Sequence, residues 1–167
     1  VACFQYQEAI QPNTPISQKE ILLRQAHYLD PSRSEITEVF AQFLFDQGHK
    51  SYALSAIETT WVMSPTQSIG DLYLKVSMSK NEEDVYQVAT KLVKHNPRHS
   101  ASLLFLSRAA FQAKLWSNAR AHLTHLVKLD PSVEAYRLLA QLELEEKHDW
   151  SAAIKWLMEG LSAPRHL

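Results

Sequence analysis

The chain has 167 residues, 46% of them hydrophobic, and 17 lysines and arginines stand against 18 aspartates and glutamates for a formal charge of −1. That balance excludes the basic excess of a nucleic-acid binder and the polybasic run of a protein held on anionic lipid. A single cysteine, Cys3, excludes an internal disulfide and fits a reducing compartment, and no apolar run approaches the roughly 18 residues that span a bilayer.

In chain order, "CFQYQEAI" (3–10) reads as a short helix and "QPNTP" (11–15) as a loop. "SQKE" (17–20) has the form of a capping box, opening a helix that runs to about Leu29. Beyond it the prolines fall at Pro31, Pro65, Pro97, Pro131 and Pro164, so that "LDPS" recurs at 29–32 and 129–132. The dipeptides Asp30-Pro31, Ser64-Pro65, Asn96-Pro97 and Asp130-Pro131 read as a cap followed by proline in a first turn, each a helix start.

Between these marks the apolar residues keep helical spacing. "ASLLFLSRAAFQA" (101–113) sets Leu103, Leu106, Ala110 and Ala113 on one face, and "SNARAHLTHLVKL" (117–129) does the same with Ala119, Leu123, Leu126 and Val127. "VEAYRLLAQLELEE" (133–146) repeats the first type. "WSAAIKWLMEGL" (150–161), capped by Asp149, repeats the second. Each unit of about 34 residues is two helices and a turn.

That period resembles the tetratricopeptide (TPR) repeat. Small residues fall where its helices approach closely: Ala41, Ser107 and Ala140 in the first helix, Ala53, Ala119 and Ala152 in the second. Large apolar residues fill the matching contacts, with Phe40, Leu106 and Leu139 in one helix and Ile57, Leu123 and Trp156 in the other. The expected fold is all-α, a right-handed TPR-like solenoid of antiparallel helix pairs forming one domain over 1–167. It comprises an incomplete leading repeat (1–30), repeats at 31–64, 97–130 and 131–163, a degenerate one at 65–96, and a tail at 164–167. In the degenerate repeat two residues are lost and Tyr73 takes the small position, which predicts a bend or a shortened first helix.

No phosphate-binding loop, dinucleotide fingerprint, zinc-protease helix, paired-cysteine motif or nucleophile elbow is present. With only Gly48, Gly70 and Gly160, a glycine-built phosphate cradle is not expected. His122 and His125 are three apart and His95 and His99 four apart, spacings that bring imidazoles together on a helix. Pro97 interrupts the second pair, and the first flanks Leu123 without an acidic or thiol ligand nearby. These histidines, and His27, His49 and His148 as haem ligands, are read as solvated or packed side chains. Glu82, Glu83 and Asp84 follow Asn81 at a helix start, where negative charge suits the helix dipole. Glu143, Glu145 and Glu146 lie late in a helix and are read as solvated surface or partner contact. Trp61, Trp116, Trp150 and Trp156 are read as core or its rim. Neither a catalytic residue, a metal site nor a cofactor is expected.

In a TPR stack the first helices line the concave side. The repeat register puts Glu35, Glu38, Gln42 and Phe45 there, then Leu74 and Met78, then Leu104, Arg108 and Phe111, then Arg137, Gln141 and Leu144. We take Gln42, Phe45, Leu74, Leu104, Arg108, Phe111, Arg137 and Gln141 as the candidate partner-binding set. Arg108 and Arg137 offer forked donors for a carboxylate or phosphate, or pair internally with Glu134 or Glu143. The lysine and asparagine by which some TPR domains clamp a peptide C-terminus are missing.

"LWSNAR" (115–120), "PSVEAYRLLAQLE" (131–143) and "SAPR" (162–165), with "AIETTWVMSP" (56–65) followed by "LY", carry a more specific likeness. Over roughly 36–165 the chain resembles HemY-like proteins, the TPR proteins associated with bacterial haem-biosynthesis operons. The resemblance implies a non-catalytic scaffold in late haem synthesis, or a porphyrin-handling domain whose groove uses Phe45, Phe111 and the two arginines. It implies an N-terminal membrane anchor at the bacterial inner membrane, absent from this chain, with this region on the cytoplasmic side. It also implies protein partners, haem-biosynthesis enzymes among them. The start at Val1 fits a fragment, and an apolar edge on the leading repeat would allow a homo-oligomer.

Overall fold

The computed structural model describes residues 1–78 and 84–163. Among them are ten helices and no strand: α1 (Ala2–Ala9), α2 (Ile16–Leu29), α3 (Ser34–Asp46), α4 (Lys50–Met63), α5 (Gln67–Ser77), α6 (Val85–Val93), α7 (Ser100–Gln112), α8 (Trp116–Leu129), α9 (Val133–Lys147) and α10 (Trp150–Leu161). The short helix expected near the start is α1, and it packs on α2. The chain divides into two compact units, residues 1–83 with 94–96, and residues 84–93 with 97–167. The degenerate repeat is thus shared, α5 belonging to the first unit and α6 to the second. Both of its helices are short, 11 and 9 residues against 13 or more in α3 and α7.

Three of the four proline dipeptides close helices and none opens one; Asn96-Pro97 comes after α6 has ended at Val93. Asp30, Ser64 and Asp130 are the last caps of α2, α4 and α8, with φ, ψ of −145, 77, then −148, 75, then −147, 81. A following proline ring excludes the α-helical region for the residue before it. Each still donates its N–H to the last turn, to the carbonyls of Ala26, Thr60 and Leu126. The next helix opens two or three residues after the proline, and where a side chain caps it, that residue lies beyond the proline: Thr66 Oγ1 accepts from Ile69 N, His99 Nδ1 from Ala101 N, and Ser132 Oγ from Ala135 N. The capping box at 17–20 does not form either. Pro15 precedes the first turn, α2 opens at Ile16, and Ser17 lies inside the helix. Asp149 does cap α10, accepting from Ala152 N at 2.9 Å. Of the acidic run at 82–84, Asp84 accepts from Tyr86 N at the start of α6; Asn81, Glu82 and Glu83 lie outside the described residues, as do Pro164 and Arg165 of "SAPR".

The turns after α3 and α7 are alike. Among the described residues, Gly48, Lys114 and His148 have positive φ, at 82°, 57° and 53°. After α3, Gly48 N donates to Phe45 O and His49 N to Leu44 O; after α7, Lys114 N donates to Phe111 O and Leu115 N to Ala110 O. Both are Schellman closures, which satisfy carbonyls that the helix end leaves open. α9 has 15 residues against 13 in α3 and α7 and is followed by a two-residue loop where they have three, and Asp149 N reaches Glu143 O. From that closing carbonyl to the first residue of the next helix is 7 positions, against 6 from Leu44 to Lys50 and from Ala110 to Trp116, so the buried face of α10 falls one residue later relative to α9. Ala153, not Ala152, is the buried small residue there, and Trp156 is only half-buried.

In the first unit the core contains Leu23, Ala26, Ile36, Phe40, Leu44, Ala53, Ile57, Trp61, Ile69 and Val76. In the second it contains Leu103, Ala110, Ala119, Leu123, Leu126, Ala135, Leu138, Leu139 and Leu142, with Trp116 and Trp156 packed against it. Trp150, by contrast, is exposed at the first position of α10 and belongs to no core. Each fully buried leucine or isoleucine contributes roughly 2 kcal/mol of transfer free energy. At Gly160 a Cβ would lie 2.8 Å from Tyr136 Cβ, so α9 and α10 approach at a spacing that only glycine permits.

Gly48→Ala should cost about 1 kcal/mol in urea unfolding, although nothing lies within 4 Å of the added carbon, because positive φ alone opposes it. Lys114→Gly, at the same turn of the other unit, should raise stability by up to about 1 kcal/mol. Gly160→Ala should cost roughly 1–3 kcal/mol in the same assay, since the clash is with a Cβ that cannot rotate away.

Candidate functional site

In the first unit, successive first helices α3 and α5 border a groove of about 560 Å³. Glu38, Gln42 and Asp46 line it from α3, Asp71 and Lys75 from α5, and Lys19 from α2. Helical spacing of four residues puts Glu38, Gln42 and Asp46 on one face. A polar chain crosses the groove: Lys75 Nζ donates to Gln42 Oε1 at 2.8 Å, and Gln42 Nε2 donates to Asp46 Oδ1 at 2.7 Å. Asp71 is held by Gln67 Nε2 at 2.7 Å. Of the residues expected here, Gln42 lies in the groove. Phe45 and Leu74 are half-buried and do not line it.

In the second unit Leu104 and Phe111 pack against the core. Phe111 meets Trp116 edge-on, with ring centroids 5.4 Å apart. Arg108 on α7 and Arg137 on α9 converge on one carboxylate: each donates to Glu134 Oε1, at 2.6 and 2.9 Å. The Arg108 hydrogen bond, and then that of Arg137, hold the Glu134 carboxyl below its usual range against the opposing effect of burial. Of the two internal partners that the sequence allowed these arginines, Glu134 takes both. Gln141 is half-buried on α9.

Glu143 and Glu146 are not solvated surface. Glu143 is 5% exposed, at the register position that Leu44 and Ala110 occupy in other repeats. Arg120 on α8 clamps it with two nitrogens and reaches Glu146 as well, while Trp156 Nε1 donates to it at 3.4 Å and Lys147 Nζ lies 3.7 Å away. The Arg120 hydrogen bond dominates in holding the Glu143 carboxyl low. A carboxylate at a core position needs such pairing, because an unpaired buried charge is strongly unfavourable. The signal in the sequence was this register, with a glutamate where other repeats carry leucine or alanine.

The histidines serve separate purposes. His99 caps α7. His122 meets Tyr86 Oη at 3.0 Å, and burial lowers its pKa, so it is neutral at pH 7. His95 lies 3.8 Å from Glu58, apart from His99. His27 is buried and makes a hydrogen bond with Thr37. Among the described residues no group of three histidine, cysteine or acidic side chains converges on a metal-sized space, and no helix is long and apolar enough to cross a membrane.

The fold is that of a TPR-like helical repeat. Solved structures that match it include MamA (TM-score 0.53, 13% identity, over 88% of this chain and 87% of that one) and a second MamA protein (0.54, 12%, 96% and 90%). A thermophilic TPR protein of Thermus thermophilus, TTC0263, matches with a TM-score of 0.53 at 16% identity over 97% and 91%. No family model and no curated protein matches the chain in sequence.

Removing Arg120 strands Glu143. Arg120→Ala should cost about 2–3 kcal/mol, short of a wholly enclosed pair because the arginine keeps some solvent, whereas Arg120→Met with Glu143→Leu should recover most of it. Glu134 and Glu143 have folded values below the 4.5 of a free carboxyl. Their contribution is therefore present above pH 4.5 and lost as pH falls below it, so the cost of Arg120→Ala should shrink in urea titrations as acid protonates Glu143.

Proposed function

We propose that the chain is a non-catalytic scaffold that binds protein partners in the groove between α3 and α5. The observation that carries this reading is the lining of that groove: three carboxylates, Glu38, Asp46 and Asp71, against two ammoniums, Lys19 and Lys75, beside Val39, Phe43 and Leu72. Such a surface suits an extended segment presenting basic and apolar side chains. It offers no nucleophile beside a base, which hydrolytic or transfer chemistry would require.

The sequence resemblance over 36–165 supports a finer reading, a HemY-like protein associated with haem biosynthesis. On that reading the chain is carried at the bacterial inner membrane by a segment outside this sequence, and faces the cytoplasm. Haem-biosynthesis enzymes are then the partners to try first. The porphyrin-binding alternative is less favoured, because its two arginines are already engaged by Glu134.

Panning a peptide library on the purified chain should enrich segments rich in lysine and arginine. Asp46→Lys with Asp71→Lys should weaken the best of them at least about tenfold while helical circular dichroism stays unchanged. Enriched peptides that bind this variant equally well would place the interaction elsewhere. Titration with protoporphyrin or haem should give no saturable Soret change, and a stoichiometric one would overturn the scaffold reading in favour of tetrapyrrole binding.

A further inference from the structure

A second cavity of the first unit, about 440 Å³, opens between the second helices α2 and α4 over the side of α3. Its walls include Tyr28, Phe40, Leu44, Tyr52 and Ala56, and His27 lies among them. Tyr28 and Tyr52 are exposed at its edges, and the His27 and Phe40 ring centroids are 5.5 Å apart.

The polar groups beneath this cavity are not required by the fold. His27, Thr37 and Thr60 are all buried and joined by hydrogen bonds, with His27 Nδ1 3.0 Å from Thr37 Oγ1 and Thr37 Oγ1 2.7 Å from Thr60 Oγ1. Moving 66 residues along the chain, from Pro31 to Pro97, turns these three positions into Val93, Leu103 and Leu126, all buried and apolar. The same repeat geometry is therefore built elsewhere in this chain without polar atoms. Burying polar side chains is costly unless they are hydrogen-bonded, and here the bonds satisfy Thr37 and Thr60 but use only one ring nitrogen of His27.

Either hydroxyl can donate in the Thr37–Thr60 contact, and Arg33 O and Ala56 O lie 3.3 Å from Thr37 Oγ1 and Thr60 Oγ1 as further acceptors. The direction that makes the most hydrogen bonds runs from His27 Nδ1–H to Thr37, from Thr37 to Thr60, and from Thr60 to Pro31 O at 2.8 Å. The reverse leaves Pro31 O without this donor and an Nε2–H without a partner. The first direction puts the lone pair on Nε2. Burial lowers the His27 pKa, which keeps the ring neutral at pH 7. Nε2 has no hydrogen-bond partner among the described residues and keeps some exposure, and His27 lines the cavity.

We propose that this cavity is a ligand site, distinct from the α3–α5 groove, that takes a planar aromatic ring bearing an N–H or O–H donor, with His27 Nε2 as the acceptor. The aromatic walls supply ring contacts, and the relay through Thr37 and Thr60 holds the acceptor in one tautomer. The volume lies at the small end of ligand pockets and suits one ring system with a short attachment. An indole or phenol meets the description, either as a free small molecule or as the side chain of a tryptophan or tyrosine in a partner segment. The other ionisable groups lining the cavity are Arg24, paired with Glu20, and the two tyrosines.

Indole, 1-methylindole and N-acetyltryptophanamide should be titrated into the whole chain at pH 7.5 and followed by NMR. Indole or the amide should bind saturably and shift Tyr28 and Tyr52 signals. 1-Methylindole, which lacks the donor, should bind at least tenfold more weakly. Binding of indole alone identifies a free small molecule as the ligand, and tighter binding of the amide identifies a peptide side chain; either supports the site. His27→Val, which copies Val93, should abolish the preference for a donor. Nitrogen spectra of the wild-type imidazole should show Nε2 unprotonated, a reading independent of whether the variant folds. Absence of saturable binding by both indole and the amide, equal affinity for indole and 1-methylindole, or a protonated Nε2 at pH 7.5 would each overturn the proposal.

Discussion

Proline's exclusion of the α-helical region from the residue before it is the constraint on which the rest of this structure depends. At Asp30, Ser64 and Asp130 it produces nearly the same backbone angles, so three second helices end in the same way. A positive-φ residue at Gly48, Lys114 or His148 then reverses the chain within a repeat. Between these two stops each helix has only enough length to bury one apolar face, and that face must find a neighbour. The surfaces discussed above are what remains once those neighbours have packed.

The repeat positions then become a ruler for locating unusual residues. Glu143 stands where Leu44 and Ala110 stand, and His27, Thr37 and Thr60 stand where Val93, Leu103 and Leu126 stand. The two departures differ in kind. Glu143 is closed within its own set of bonds, to Arg120, Trp156 and Lys147, and ties α8, α9 and α10 together. The His27 network leaves one ring nitrogen without a partner in a residue that lines a cavity. A polar group in a core is thus either enclosed by partners or open at one end.

The fold was legible because helical periodicity and proline spacing are local signals that a single sequence carries. The helix starts were misassigned by two or three residues because a cap before proline and a stop before proline look alike; only backbone angles separate them. Counted from Pro131, as Ala53 and Ala119 are from Pro31 and Pro97, the small position falls at Ala153; Ala152 follows only from counting on from Ala140, across the added residue late in α9. Gln42 could be placed in a groove from its register, since it needs only the correct face of α3. The fate of Arg108 and Arg137 could not be chosen in advance, because pairing with Glu134 depends on how α7 and α9 approach in space. The His27 relay was missed for the same reason, its members being spread over three helices.

The greater length of α9 has a further consequence. Where α7 closes with Leu115 N on Ala110 O, α9 closes with Asp149 N on Glu143 O, and α10 still begins with its cap in place. The last turn of α9 therefore takes up the added residue, and α10 begins 19 residues after Pro131, as α4 and α8 begin 19 residues after Pro31 and Pro97. Length drift in a chain of this design can be absorbed in the final turn of one rod while the start of the next keeps its distance from the proline. A comparison that assumes one fixed period throughout would then mistake healthy repeats for decayed ones.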